Sequence, residues 1–159
     1  MKIINNCLKK EEFIHIQDLM TNNFFPWYVT WGVASNGKHD YQFTHTFYYD
    51  SEVKSPYFNL LNNILEILKP SSLIRIKANL LTKTDKIIEH GYHTDTKIKN
   101  SKTGIFYINT NNGYTKFKNK KLIKSEENKL IFFDSNKEHT GTTCTDELFR
   151  IVINFVYTN

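Results

Sequence analysis

The chain has 159 residues, the size of one ordinary domain, and 40% of them are hydrophobic, enough to build a buried core. The formal net charge is +5, but the lysines are spread along the chain, so a nucleic-acid partner is not favoured. The N-terminus soon turns polar, which argues against a signal peptide or membrane span, and Cys7 and Cys144 form neither a disulfide framework nor a zinc motif. These features predict a cytoplasmic protein without a membrane partner, either a monomer or a homodimer.

Two amphipathic helices are predicted within residues 1–70. Residues 9–20 carry apolar side chains at helical spacing, and a second such segment ends at Pro70. The second helix is expected to use Ser55 as its N-cap, with Pro56 at the first helical position. The apolar stripes are Phe13, Ile16, Leu19 and Met20 in the first helix and Phe58, Leu61, Leu65 and Leu68 in the second.

Two strands are predicted between these helices, at 27–34 and 41–49, with a turn at Asn36-Gly37. The second strand alternates aromatic and polar residues, and His45 on its aromatic face is expected to be half-buried rather than a metal ligand. The aromatic residues of the 21–50 segment either cover the core or form a lip for a substrate. They are Phe24, Phe25, Trp27, Tyr28 and Trp31.

After Pro70 the chain changes to short β-like segments joined by turns. Their length and spacing are typical of a sandwich or barrel, so we expect a mainly β fold with N-terminal helices. One domain is predicted over 1–159, with 1–70 as helical support and substrate-side elements and 71–159 as the β core. The predicted strands are 72–82, 86–92, 103–109, 114–117, 121–124, 129–134 and 148–157.

An H-x-D sequence at His93 and Asp95 is the first candidate for chemistry. On an extended chain both side chains point to the same face, where one imidazole and one carboxylate can reach a single ion. His139, which follows the apolar run 130–133, is a candidate third ligand. Two histidines and one carboxylate form the facial triad of non-haem Fe(II) oxygenases and leave open positions on the metal.

Arg150 is the second candidate, because it interrupts the otherwise apolar strand 148–157. A buried guanidinium without an anionic partner would be costly. A bound dicarboxylate gripped through two parallel hydrogen bonds would meet this need, and so would a buried aspartate of the protein itself. Arg75 is the other arginine of the chain, and its strand leaves open whether it points into the site or outward.

Taken in chain order, these features resemble the Fe(II)/2-oxoglutarate-dependent dioxygenases, in particular the prolyl-hydroxylase-like and phage-type branch. The resemblance spans residues 73–157 and depends on the set rather than on any one motif. Its members are His93-Thr94-Asp95, the strand 104–109, the glycine-containing strand 113–117, the apolar run 128–135, His139-Thr140-Gly141 and Arg150.

The resemblance implies a double-stranded β-helix, which is a jelly-roll, cupin-like fold. It implies that His93, Asp95 and His139 bind Fe(II) and that Arg150 binds the far carboxylate of 2-oxoglutarate. Tyr107 falls near the co-substrate and Asn109 shares its strand face, whereas Asn79 or Lys83 stands where relatives place a tyrosine.

The implied reaction uses O2, with ascorbate as a candidate accessory reductant, and hydroxylates a C–H bond while 2-oxoglutarate becomes succinate and CO2. The substrate is a peptidyl proline or a small metabolite. Two alternatives stay open. One is a cupin-like metal-binding protein without oxygenase activity. The other is a jelly-roll module that binds a polyanion through Lys116, Lys118, Lys120 and Lys121.

Overall fold

Antiparallel β-structure makes up most of the fold. The structure is a computed structural model that describes residues 1–33 and 41–159, so the predicted Asn36-Gly37 turn lies outside the described residues. The strands are β1 (Lys2–Ile4), β2 (Tyr28–Trp31), β3 (Tyr41–Tyr49), β4 (Glu52–Val53), β5 (Ser72–Thr82), β6 (Ser101–Tyr107), β7 (Tyr114–Phe117), β8 (Leu122–Lys124), β9 (Lys129–Asp134), β10 (His139–Gly141) and β11 (Phe149–Thr158). The helices are α1 (Lys10–Thr21) and α2 (Asn62–Leu68), the latter entered through a 3₁₀ turn at Phe58–Leu61.

The strands form two sheets in the described part of the chain. The large sheet has the order β1-β9-β6-β11-β5-β3-β2, with β4 paired to β3, and the small sheet has the order β10-β7-β8. The central strand β11 pairs with β5 on one side and with β6 on the other. Four strands of the first 70 residues, β1 to β4, belong to the large sheet, so this part of the chain adds strands as well as helices.

The two faces of the large sheet bury different partners. One face packs against the helices in a core that contains Ile16, Ile64, Phe106 and Ile153. The opposite face meets the small sheet through a second cluster, which includes Tyr107, Phe117 and Phe133. Because neighbouring strand residues point to opposite faces, β11 lines both clusters.

The second helix begins differently from the prediction. Tyr57, not Ser55, occupies the N-cap position of the 3₁₀ turn, and no side chain caps it. The Ser55 hydroxyl instead accepts a hydrogen bond from the Tyr57 amide at 3.1 Å and lies 2.7 Å from Nε2 of His45. A local serine turn has therefore replaced the capping interaction. The end of the helix is as expected, since Lys69 adopts a left-handed conformation (φ 50°) and Pro70 follows.

Residues 86–92 form no strand, contrary to the prediction. They carry one isolated bridge, between Glu89 and Thr142, and threonine hydroxyls take over several of the remaining hydrogen bonds. The Ile88 amide donates to Thr143 Oγ1 at 2.9 Å, and Thr140 Oγ1 donates to the His90 carbonyl at 2.7 Å. Side-chain hydroxyls that satisfy the backbone in this way compete with a regular ladder.

Among the described residues, no helix is long and apolar enough to cross a lipid bilayer.

Candidate metal centre

The two candidate histidine ligands lie side by side on paired backbone. His139 opens β10, and His93 forms an isolated antiparallel bridge with it. Their amides and carbonyls exchange two hydrogen bonds of 3.0 Å each. The backbone therefore fixes the separation of the two imidazoles, whose ring centroids are 4.7 Å apart.

Asp95 completes a compact group with these histidines. One ligand atom from each of His93, Asp95 and His139 lies within 4.8 Å of the other two. Nε2 of His139 is 3.5 Å from one carboxylate oxygen of Asp95, and Nε2 of His93 is 4.0 Å from the other. The side chains of Asp95 and His139 are nearly inaccessible to solvent, whereas that of His93 is 33% exposed and marks the open side of the site.

Both imidazoles are oriented for metal binding through Nε2. Nδ1 of His93 lies 3.2 Å from the Gly91 carbonyl, and Nδ1 of His139 lies 3.0 Å from the Lys137 carbonyl. Because a carbonyl can only accept, Nδ1 carries the proton and Nε2 keeps its lone pair, as in metal-bound histidines. Burial lowers the pKa of His139 despite the opposing effect of Asp95, which favours the neutral form that binds metals.

Two neighbours hold the Asp95 carboxylate in place. Thr103 Oγ1 on β6 donates to one oxygen at 2.6 Å, and the Arg75 guanidinium lies 3.5 Å from the other. A nitrogen–nitrogen–oxygen donor set on one side, with its outer hydrogen bonds satisfied, fits an octahedral metal such as Fe(II) that keeps open positions. The residues present therefore fit the metal that the resemblance implies.

Arg150 lies in the same cavity and is 3% exposed. Its Nε donates to Ser125 Oγ at 2.7 Å and its Nη2 to Thr115 Oγ1 at 3.2 Å, and the guanidinium lies 5.8 Å from the centre of the Tyr107 ring. No carboxylate of the described residues forms an ion pair with Arg150. Among these residues, the alternative of a buried aspartate partner is therefore not observed.

Gly113 makes room for this arginine. A Cβ at position 113 would lie 2.7 Å from Cδ of Arg150 and 2.8 Å from the Thr143 carbonyl oxygen. Both distances are shorter than a Cβ atom tolerates, so a neighbour would have to shift. The second contact involves backbone, which cannot move aside as easily as a side chain. Position 113 therefore requires glycine, because Arg150 packs closely against its backbone.

The other predicted co-substrate residues have different surroundings. Tyr107 is fully buried behind Arg150 and donates its hydroxyl to Thr115 Oγ1 at 2.8 Å, and burial raises its pKa to about 12. Asn109 does not line the cavity, because its amide bridges the backbone of β11 by donating to the Phe149 carbonyl and accepting from the Ile151 amide. Asn79 lines the cavity, whereas Lys83 is exposed.

The cavity has a volume of about 220 Å³ and brings together His93, Asp95, His139, Arg150 and Asn79. Sequence reasoning missed several of its other polar residues. His90 lies in the 86–92 segment, which does not form the predicted strand, so strand alternation cannot indicate where its side chain points. Arg75, whose direction the sequence leaves open, lies on β5 two residues before Lys77, and both line the cavity. The polar residues missed or undecided are Gln42, Arg75, Lys77, His90, Thr115 and Asn154.

Comparison with known proteins finds similarity at the level of structure. The sequence matches no protein-family profile and no curated protein. The chain is similar to an oxidoreductase of the 2OG-Fe(II) oxygenase family from Burkholderia pseudomallei, with 12% identity and a TM-score of 0.71 over 98% of this chain and 84% of that chain. It is also similar to a prolyl hydroxylase from Trichoplax adhaerens in complex with a peptide fragment of the hypoxia-inducible factor oxygen degradation domain, with 11% identity and a TM-score of 0.68 over 98% of this chain and 82% of that chain.

A third similar structure is HygX from Streptomyces hygroscopicus with nickel and 2-oxoglutarate bound, at 8% identity and a TM-score of 0.65 over 98% of this chain and 81% of that chain. At such identities the likeness shows the fold, so the predicted double-stranded β-helix with N-terminal helices is confirmed. The structural neighbours include 2-oxoglutarate-dependent Fe(II) oxygenases, prolyl hydroxylases among them. The phage-type branch and the cytoplasmic location stay predictions.

Proposed function

We propose that the chain, as one domain over 1–159, is a non-haem Fe(II) and 2-oxoglutarate-dependent dioxygenase that hydroxylates a C–H bond. One observation carries this proposal. His93, Asp95 and His139 can contact one ion, and a buried Arg150 without a carboxylate partner among the described residues lines the same cavity. A metal that keeps open positions and an arginine that needs an anion are the two requirements of this chemistry.

In this proposal His93 and His139 hold Fe(II) through Nε2 and Asp95 through its carboxylate. Once bound, Fe(II) with 2-oxoglutarate and O2 supplies the oxidising chemistry, which yields succinate, CO2 and a hydroxylated substrate. The Gly91 and Lys137 carbonyls keep the proton on Nδ1 of each histidine, and Thr103 and Arg75 fix the carboxylate. The protein thus contributes position rather than proton transfer.

Arg150 would bind the far carboxylate of 2-oxoglutarate. Ser125 and Thr115 orient its guanidinium, and Nη1 has no hydrogen-bond partner in the described part of the chain. Because Arg150 is buried, water would be excluded from its contact with the carboxylate of 2-oxoglutarate, and this strengthens a charge-assisted hydrogen bond. Tyr107 supports the arginine from behind, and Asn79 is placed for a second contact with the co-substrate.

The substrate is a small molecule or a peptide, and a peptidyl proline is one candidate. The support for a peptide is that the similar Trichoplax adhaerens enzyme is a prolyl hydroxylase in complex with a peptide. The exposed His93 side chain leaves the metal side of the cavity accessible to such a partner. Ascorbate stays a candidate reductant.

Neither alternative accounts for the site as well. A cupin-like metal protein without oxygenase activity would have no use for a buried Arg150 that has no carboxylate partner among the described residues. For a polyanion-binding module, two lysines of the β7–β8 hairpin are already neutralised, because Lys116 pairs with Glu89 at 2.8 Å and Lys118 with Glu138 at 2.6 Å.

The direct test is 2-oxoglutarate turnover without added substrate. Purified protein with Fe(II), O2 and ascorbate, which supplies the two electrons that a substrate would otherwise give, should convert 2-oxoglutarate slowly to succinate, and His139→Ala should abolish the conversion. Arg150→Gln should raise the 2-oxoglutarate concentration that is needed about tenfold or more, since it removes charge-assisted hydrogen bonds. Circular dichroism establishes that each variant is folded. No succinate from folded, iron-loaded wild type would reject the proposal.

A further inference from the structure

Two positive side chains line the cavity and are neither metal ligands nor the arginine assigned to 2-oxoglutarate. Arg75 and Lys77 lie on β5 with their side chains on the same face as Asn79, and all three line the cavity. With Arg150, the described cavity lining has three basic residues, and Asp95 is its one acidic residue. Bound Fe(II) and 2-oxoglutarate carry opposite charges of equal size, so they leave this excess of positive charge in place.

These cations lie away from Arg150. In the pairing of β5 with β11, Arg150 is opposite Leu81, whereas Lys77 is opposite Asn154 and Arg75 is opposite Val156. Four residues of strand separate Leu81 from Lys77, which corresponds to about 13 Å of backbone. Arg75 also contacts the metal ligand Asp95. The pair therefore lies toward the metal ligands, at the other end of the strand from the arginine assigned to 2-oxoglutarate.

Among the described residues, two buried polar atoms in or next to this pair lack hydrogen-bond partners. Nε of Arg75 and Oδ1 of Asn154 are buried without a hydrogen-bond partner in the described part of the chain. Asn154 is the direct neighbour of Lys77 across the two strands. The Lys77 side chain forms no hydrogen bond with another described residue. Leaving buried polar atoms unpaired is costly. A ligand with an oxyanion, and with an O–H or N–H group beside it, would satisfy both buried atoms and give the Lys77 ammonium a partner.

Resting on the proposed function, we propose that Arg75 and Lys77 bind an oxyanion of the substrate, a carboxylate or a phosphate, and so select an anionic substrate. The oxyanion accepts hydrogen bonds from both cations, and a neighbouring O–H or N–H group of the substrate donates to Asn154. This arrangement holds the substrate on the metal side of the cavity, apart from the co-substrate at Arg150.

Two other roles for the pair make different predictions. If Arg75 and Lys77 only orient Asp95, their loss weakens metal binding and leaves anion binding unchanged. If they hold the near carboxylate of 2-oxoglutarate, their loss raises the co-substrate requirement, as in an Arg150 variant. Lys77 is the better residue to vary, because Arg75 contacts Asp95 directly.

The experiment uses Mn(II)-loaded protein with N-oxalylglycine, an unreactive analogue of 2-oxoglutarate, and three small fluorinated probes. Fluoroacetate and fluoromethylphosphonate are anionic, and fluoroacetamide is their neutral match. Mn(II) speeds the ¹⁹F relaxation of a probe that binds near it. We expect enhanced relaxation for one or both anions and none for the amide, and the stronger response identifies a carboxylate or a phosphate as the preferred group.

Lys77→Gln should lower this enhancement about tenfold, the effect of losing a hydrogen bond from a charged group. Arg75→Gln should act in the same direction, while Lys10→Gln on the exposed face of α1 should match the wild type. Mn(II) affinity, measured for each variant, shows that the metal site is intact. Enhancement that survives in Lys77→Gln overturns the proposal, and so does a rise in the N-oxalylglycine requirement as large as that of Arg150→Gln.

Failure of the two proposals is distinguishable. If N-oxalylglycine does not bind to the Mn(II)-loaded wild type, the oxygenase assignment fails. The fluorinated anions still report on Arg75 and Lys77 in that case, because their relaxation requires only Mn(II). A wild type that binds N-oxalylglycine but gives equal relaxation for all three probes overturns the anion site alone.

Discussion

Two threonine hydroxyls on facing sheets serve different parts of the site. Thr103 on β6 donates to Asp95 at 2.6 Å, whereas Thr115 on β7 accepts from Arg150 at 3.2 Å and from Tyr107 at 2.8 Å. We expect Thr103→Val to weaken metal binding about tenfold, as loss of an outer-shell partner typically does. Thr115→Val should leave metal affinity unchanged and raise the 2-oxoglutarate requirement instead.

Metal affinity is measured by competition with a chelator, and the co-substrate requirement by titration of the metal-loaded protein. Each variant is the matched control for the other, since the two substitutions are chemically identical. Equal effects of both variants on both measurements would contradict the separate roles of the two hydroxyls.

Gly113 gives a steric prediction at the same scale. Gly113→Ala places a methyl group 2.7 Å from Cδ of Arg150, so the arginine must shift and the 2-oxoglutarate requirement should rise. Gly104→Ala is the control, because its methyl group would meet the Leu68 side chain, at 3.3 Å, on the helix-facing side of the sheet. Both variants are expected to lose stability, but only Gly113→Ala should affect the co-substrate. An unchanged requirement in Gly113→Ala would show that Arg150 does not need this space.

At the scale of elements, α2 supports the large sheet from the side opposite the site. Ile64 is fully buried in the helix–sheet core. Ile64→Ala should lower the free energy of unfolding by about 2–5 kcal/mol, the usual cost of a cavity in a core. Urea unfolding measures the change, and Asn63→Ala on the exposed side of the helix should stay within about 0.5 kcal/mol. A small effect at Ile64 would mean that the helix contributes little to the fold.

The strands that the sequence predicts well are those with long periodic patterns. β3, β5 and β9 match the predicted ranges and β11 agrees within one residue, because each is long enough for alternation or a continuous apolar run to identify it. The short strand β7 also matches its predicted range. β10 was not predicted, and the prediction of a strand over 86–92 was wrong. Three residues carry no period, and the segment's hydrogen bonds come partly from threonine hydroxyls distant in sequence.

The site follows the same distinction. His93, Asp95, His139 and Arg150 were named in advance because their residue types and order carry the chemistry, and the fold brings all four to one cavity. For Arg75, the sequence alone does not say whether the side chain points into the site or outward. That depends on β11 packing against β5 across the sheet, which is a long-range contact. Asn109 was predicted near the co-substrate from its strand position. Its side-chain amide instead forms hydrogen bonds with the backbone of β11.

For the whole molecule, pH dependence of stability follows from two buried histidines. Burial lowers the pKa of His45 and of His139 below the ordinary 6.5. Below about pH 6.5 the unfolded chain therefore binds more protons than the folded protein does. The contribution of these histidines to the free energy of unfolding is fully present above about pH 6.5 and is lost as the pH falls toward the folded-state pKa values. Metal-free protein should therefore unfold at lower urea concentration at pH 5.5 than at pH 7.5. His45→Gln should show a smaller change, and a wild type that is equally stable at both values would contradict the effect.

The account as a whole depends on one metal and one dicarboxylate meeting in the same cavity. Adding Fe(II) and then 2-oxoglutarate without oxygen tests this directly, through the visible charge-transfer band of an iron–2-oxo acid chelate. We predict a band in the wild type, no band in His139→Ala, and a band in Arg150→Ala that needs far more 2-oxoglutarate. Folded, iron-loaded wild type that shows no band would contradict the oxygenase assignment and favour a cupin-like protein that uses its metal differently.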